Sequence, residues 1–291
     1  MNLRSAIFLL LVAAAAPVDA AERSGASWEI DAEVSGVAKT RFKGLPKEGD
    51  VATLDTSLSV VASFEARSGF LIRFGFDLQR HDFDAAGAGP FPGVLQSYDF
   101  VVGADFQLGN AWLARIDLHP GFYSGGGSLR WEDFNMPVTM GASYFVDADL
   151  QLILGISVDI NRNYPVLPAV GIRWRISPSW VLEGILPTPK LEYSFNQSLM
   201  LYVGADLRGD TYRMDGSFGR SNAASKLANS VADYLQIRIG AGASWKVNTT
   251  TALQLETGIV PIHEIDFHRA GVRLRSSEVS PYLGISLDGA F

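Results

Sequence analysis

The charged residues of this chain recur at a step of two. Arg115 and Asp117, Arg173 and Arg175, and Asp206 and Arg208 are such pairs, and Glu29, Asp31 and Glu33 extend the step to three. Arg73 and Asp77 stand four apart, and Asp99, Asp105, Arg238 and Glu256 hold the same phase singly. On a strand, residues two or four apart share a face. A face that mixes both signs supports two kinds of chemistry. It can line a hydrated passage and sort solutes by charge, or its members can pair and fill the space between them. The sequence leaves both open.

Covalent and metal chemistry find less support. The histidines are His81, His119, His263 and His268, and no two are spaced i, i+2 as paired strand ligands would be. Cysteine is absent, which excludes disulfides and thiolate metal sites. Neither Gly-x-Ser-x-Gly nor His-Glu-x-x-His occurs. Gly125-Gly126-Gly127 lacks the Lys-Ser/Thr of a phosphate loop and reads as a loop tip. No catalytic residue, cofactor or metal is expected. A lipid hydrolase using His263 or His268, both placed in an outer loop, is the lesser alternative.

The elements that must carry the charges are strands. Phe70, Ile72, Phe74, Phe76 and Leu78 alternate with Leu71, Arg73, Gly75, Asp77 and Gln79, and similar runs cover 96–108, 150–160 and 234–246. Each segment has one apolar and one polar face. About fourteen segments are predicted, near 27–38, 51–65, 69–83, 96–108, 111–122, 138–146, 150–160, 167–176, 180–187, 190–195, 199–213, 234–246, 251–260 and 279–291, with twelve to sixteen open. Short turns alternate with longer loops at 39–50, 84–95, 123–137, 161–166, 214–233 and 261–278; the tight Pro187-Thr188-Pro189 corner breaks the rule. This is the pattern of an all-β, closed, antiparallel up-and-down transmembrane barrel with short periplasmic turns and long extracellular loops. A soluble sandwich would share the alternation. Its strands would be shorter than these, which approach the ~9–11 residues that cross a bilayer at a tilt.

The tryptophans collect beside the short turns. Trp28, Trp112, Trp174, Trp180 and Trp245 hold the apolar phase there, as an interfacial girdle would, and Tyr98 and Tyr193 are read as its upper counterpart. At the amino end, Arg4, the apolar run Ala6 to Ala16 and the small residues Val18-Asp19-Ala20 form a secretory signal peptide over 1–20, leaving 21–291 as the barrel domain. At the other end, Leu283, Ile285, Leu287 and Phe291 share one face, and terminal Phe291 resembles the signal read by outer-membrane assembly machinery. The expected location is the outer membrane of a Gram-negative bacterium, with outer-membrane lipid and the assembly machinery as partners. A net charge of −7 without a basic block argues against nucleic acid.

In the 214–233 loop, Ala224, Leu227, Val231 and Leu235 have helical spacing, with Ser221 or Asn222 able to cap. A helix in the barrel mouth and a solvated turn on the outer loops both fit. The run from Val170-Gly171-Ile172-Arg173-Trp174 through Leu186-Pro187-Thr188-Pro189, Gly209-Asp210-Thr211-Tyr212-Arg213 and Arg238-Ile239-Gly240-Ala241-Gly242 resembles a family of unknown function among predicted bacterial outer-membrane β-barrels. The resemblance covers mainly the C-terminal half. It implies location and architecture, and it assigns no site residue. The expected function is a porin-like passive channel for small hydrophilic solutes, lined by Arg73, Asp77, Asp105, Arg115, Asp117, Arg173, Arg175, Asp206, Arg208, Arg238 and Glu256. A structural or adhesive barrel that binds partners through its loops is the alternative.

Overall fold

The computed structural model describes residues 25–44, 47–85, 89–126, 128–220 and 224–291. The expected signal peptide and the candidate caps Ser221 and Asn222 lie outside the described residues. No helix among the described residues is long and apolar enough to cross a membrane.

The described residues form a closed barrel of fourteen strands. We number them β1 (Ala26–Lys43), β2 (Gly49–Arg67), β3 (Phe70–Asp84), β4 (Val94–Gln107), β5 (Trp112–Leu118 with Gly121–Gly125), β6 (Phe134–Asn135 with Val138–Phe145) and β7 (Leu150–Val158). Then follow β8 (Val166–Ser177), β9 (Trp180–Ile185), β10 (Lys190–Ser194), β11 (Leu199–Arg208 with Thr211–Met214), β12 (Val231–Lys246), β13 (Thr251–Phe267) and β14 (Val272–Ser276 with Ser280–Ala290). Each strand pairs antiparallel with its sequence neighbour, and β1 pairs with β14 to close the ring. The closing seam reaches the last residue, where Trp28 and Phe291 exchange backbone bonds of 2.8 and 2.9 Å.

Four short turns use one device. The side chain at the turn's start accepts from the backbone two and three residues on, replacing ladder bonds lost at the bend. Asp147, Asn196 and Asn248 each accept two such bonds at 2.8 Å, and Ser177 accepts two at 3.4 and 3.2 Å. The tryptophans expected to form a girdle lie at this end, where Trp112 packs on Tyr144 and Trp180 on Tyr193, both with ring centroids 4.8 Å apart. Tyr193 therefore belongs to the lower belt and not the upper one, because β10 is only five residues long. Above the girdle the outward residues are apolar and solvent-facing: Phe74, Phe100, Leu154, Val203, Leu255 and Leu283 are each more than half exposed. Such a continuous belt suits hydrocarbon and not water.

At the long-loop end the strands run further than the sequence predicts. β1 extends to Lys43 and β13 to Phe267, so the expected loops 39–50 and 261–278 shrink to 44–48 and 268–271. The alternation continues there with its chemistry reversed. Phe42, Val51, Phe83, Leu95, Tyr212, Tyr234, Ile265 and Phe267 point inward and are buried. Arg41, Asp50, Asp266 and Arg273 point outward and pair as Arg41–Asp50 and Arg273–Asp266. The barrel is thus lipid-like outside in its lower part and soluble-like outside in its upper part.

The upper part is also narrower. β6 leaves β5 after the pair Phe122–Phe134, and β11 takes its place, pairing parallel through Arg213–Ser124 and Met214–Gly125. The upper ring therefore consists of β1 to β5 and β11 to β14, while β6 to β10 stop short. Inside it the apolar cluster is continuous, and Leu227 of a one-turn 3₁₀ segment, Ser225–Leu227, is inserted among its members. This turn occupies the segment whose spacing predicts a helix. Val231 and Leu235 belong to β12, because an alternating face wins over a single helical turn.

Candidate functional site

Between the girdle and the apolar core lies one polar cavity of about 590 Å³. Its walls come from both halves of the ring. β1 to β5 contribute Asp31, Glu33, Asp55, Asp77, His81, Asp99 and His119, and β10 to β14 contribute Lys190, Asp206, Arg208, Asp210, Arg238, Glu256 and Asp288. Of the expected lumen residues, Asp77, Asp206, Arg208, Arg238 and Glu256 line it. The others point inward nearer the turns and are tied in pairs. Arg73 bonds Asp117 at 3.3 Å and Glu29 at 3.4 Å, Arg115 grips Asp105 at 2.6 and 2.8 Å, Arg173 meets Glu183 at 2.9 Å, and Arg175 meets Asp149 at 3.4 Å. Both features of the sequence reading are therefore present: paired charges at the turn end, and above them a polar chamber whose wall carries ion pairs of its own.

The chamber has a rigid side. Arg238 is 1% exposed, and its guanidinium bonds Asp55, Glu33 at 3.1 Å, Ser35 at 2.9 Å and Gln236 at 2.6 Å, with its carbon 5.0 Å from the Tyr282 ring centre. Arg208 holds Glu33 at 2.7 Å and also bonds Asp206. His81 stands 2.6 Å from Asp55. Two tyrosines bring their phenol ends close over glycines of β12, Tyr202 over Gly242 and Tyr282 over Gly240, where any Cβ would collide with them. Tyr282 donates to Glu256 at 2.5 Å from that position. Gly242→Val is expected to lift Tyr202 off the wall and to lower barrel stability by about 1–3 kcal/mol, as overpacking does. Urea unfolding in detergent, followed by the gel shift of the folded barrel, measures it.

His119, Asp99 and Asp77 come from three adjacent strands and bring ligand atoms within 4.8 Å of one another, with His119 Nδ1 3.1 Å from Asp99 and 3.6 Å from Asp77. No spacing rule within one strand finds such a group. Its sequence signal is only the shared inward phase. His263 is not a rim residue. It lies within β13, is 1% exposed, and packs edge-on to Phe42 and Tyr234. The extension of β13 beyond the expected loop boundary puts it inside. His268 remains at the long-loop end, 3.4 Å from Asp233.

The wall beside the chamber is incomplete. β9 and β10 end at the corner 186–189, whose Pro187 and Pro189 carbonyls accept the last bonds from β11, at Leu207 and Ala205. On the other flank β8 pairs with β9 only from Gly171 downward, so Val166 to Val170 has a partner on the β7 side alone. Val166, Leu167 and Pro168 are consecutive and all exposed, as a strand free on one edge should be. Pro168 suits that edge, since its missing N–H leaves no ladder bond unmade. Above, loop 159–165 closes the frame: the Asn163 backbone donates to Asp233 at 2.7 Å. The corner residues Pro187 and Thr188, and Leu207 and Gly209 of β11, also line the chamber, so the opening leads into it. A second cavity of about 330 Å³ at the turn end shares Asp31 and Asp288 with the first.

No family model matches the chain, and no curated protein matches it. Among solved structures, a deletion mutant of the monoaromatic hydrocarbon channel TodX has a TM-score of 0.48 at 10% identity, covering 92% of this chain and 91% of its own. An outer-membrane channel from Pseudomonas putida F1 has a TM-score of 0.47 at 11% identity, covering 94% and 99%. The toluene transporter TodX of Pseudomonas putida has 0.42 at 8%, covering 99% and 94%.

Proposed function

We propose that this protein is an outer-membrane channel for small solutes whose path enters through the side of the barrel. The observation that carries the reading is the contrast between the two possible entrances. Along the axis, the long-loop end is filled by buried apolar side chains from Phe42 to Leu274. Beside it, the frame between β8 and β11 opens on a polar chamber. A freely open pore for hydrophilic solutes would need the first entrance. The seal argues against that form and keeps the channel. The periplasmic side is then the turn end, reached past Asp31 and Asp288.

The reading is tested with the full chain in proteoliposomes. Protein-dependent uptake of hexylphosphocholine, a zwitterion with a short tail, is expected, with no steady ionic current in planar bilayers. A folded barrel that leaves hexylphosphocholine uptake at the protein-free rate overturns the proposal. Large steady current overturns the axial seal.

A further inference from the structure

We propose that the preferred solutes are amphiphiles with a short apolar tail and a cationic head, an inference that rests on the side entrance. The level of the entrance supplies the tail. Leu186 lies six residues after Trp180 (186 minus 180). At ~3.3 Å per residue and a tilt of about 40°, that is about 15 Å above the girdle, inside an apolar band about 25 Å tall. The rim agrees: Val166, Leu167, Val170 and Leu186 are all 41% or more exposed. A solute reaching this opening arrives from hydrocarbon.

The chamber supplies the head. Nine carboxylates line it against four fixed cations, Arg162, Lys190, Arg208 and Arg238. Arg208 and Arg238 are already committed to Glu33, Asp55 and Asp206. Asp31 and Asp288 face each other as a cross-strand pair, and both cavities touch them, so a head leaving the chamber passes along this acidic pair. Two acidic groups placed so close disfavour each other's charge, and a cation beside them offsets that. Aromatic faces in the chamber already hold cations, with Lys190 Nζ 4.7 Å from the Tyr202 ring centre. Such faces accept quaternary ammonium groups equally well.

Uptake of hexyltrimethylammonium and of hexanesulfonate by proteoliposomes separates the possibilities, because the two tails are equal and both charges are permanent. The ammonium is expected to enter faster by about tenfold, as a focused field of one sign allows. Asp31→Asn with Asp288→Asn should shrink that ratio severalfold. Thr188→Trp at the corner should slow the ammonium, while Lys47→Trp on a distant loop should not. Equal rates, or a faster sulfonate, overturn the cationic class and leave side passage standing. Thr188→Trp without effect overturns the entrance. Failure of both probes and of hexylphosphocholine alike overturns the channel itself.

Discussion

Replacing Arg238 by methionine is expected to destabilise the folded barrel by about 3–5 kcal/mol, the usual result of stranding buried charge. Arg238 forms a buried ion pair with Asp55, and it shares Glu33 with Arg208. Methionine fills the volume and leaves Asp55, at 2% exposure, facing an apolar neighbour. The loss should be partly reversed by adding Asp55→Asn, which removes the stranded charge. Urea unfolding of the single and double variants in the same detergent checks both statements. A double variant no more stable than the single one would place the effect in packing.

The second large effect belongs to the apolar seal. Phe267 is fully buried, stacks on Phe218 at 5.9 Å and belongs to the cluster that closes the upper ring. Phe267→Ala is expected to cost about 3–5 kcal/mol, the transfer loss plus the cavity left behind. The upper ring should loosen before the lower one, since the lower strands bury none of this cluster. Backbone amides of β13 above His263 should exchange with deuterium faster in the variant, while those near Leu253 keep their wild-type rate. Uniform acceleration along β13 would contradict a separate upper core.

Much of this architecture was legible because a barrel writes itself in period two. The strand number and the alternation of turns and loops follow from which residues water and lipid each tolerate. The upper ring was not legible for a physical reason. Its strands keep the alternation and exchange the two faces, so Arg41, Lys43, Glu264 and Asp266 looked like loop residues when they are the water-facing side of strands. His263 was misplaced by the same inversion. The contact between β5 and β11 has no local signature at all, since Ser124 and Arg213 lie 89 residues apart (213 minus 124). Of the site, the inward phase of Asp77, Asp206, Arg208, Arg238 and Glu256 could be read from each strand singly. Which of them share a chamber depends on register across the ring.

That long-range contact also has an arithmetic consequence. Alternate strands of an up-and-down ring run the same way, so β5 and β11 are co-directional and can meet only in parallel. A ring of nine such strands has odd parity and must contain one co-directional seam; a ring of fourteen has even parity and needs none. The five strands between β5 and β11 set this parity. Gaining or losing them in hairpins would resize the lower ring and leave the upper ring unchanged, whereas a single strand more or fewer would turn β11 around and abolish the seam. The molecule is therefore free to vary the width of its wall in steps of two while its sealed end stays the same.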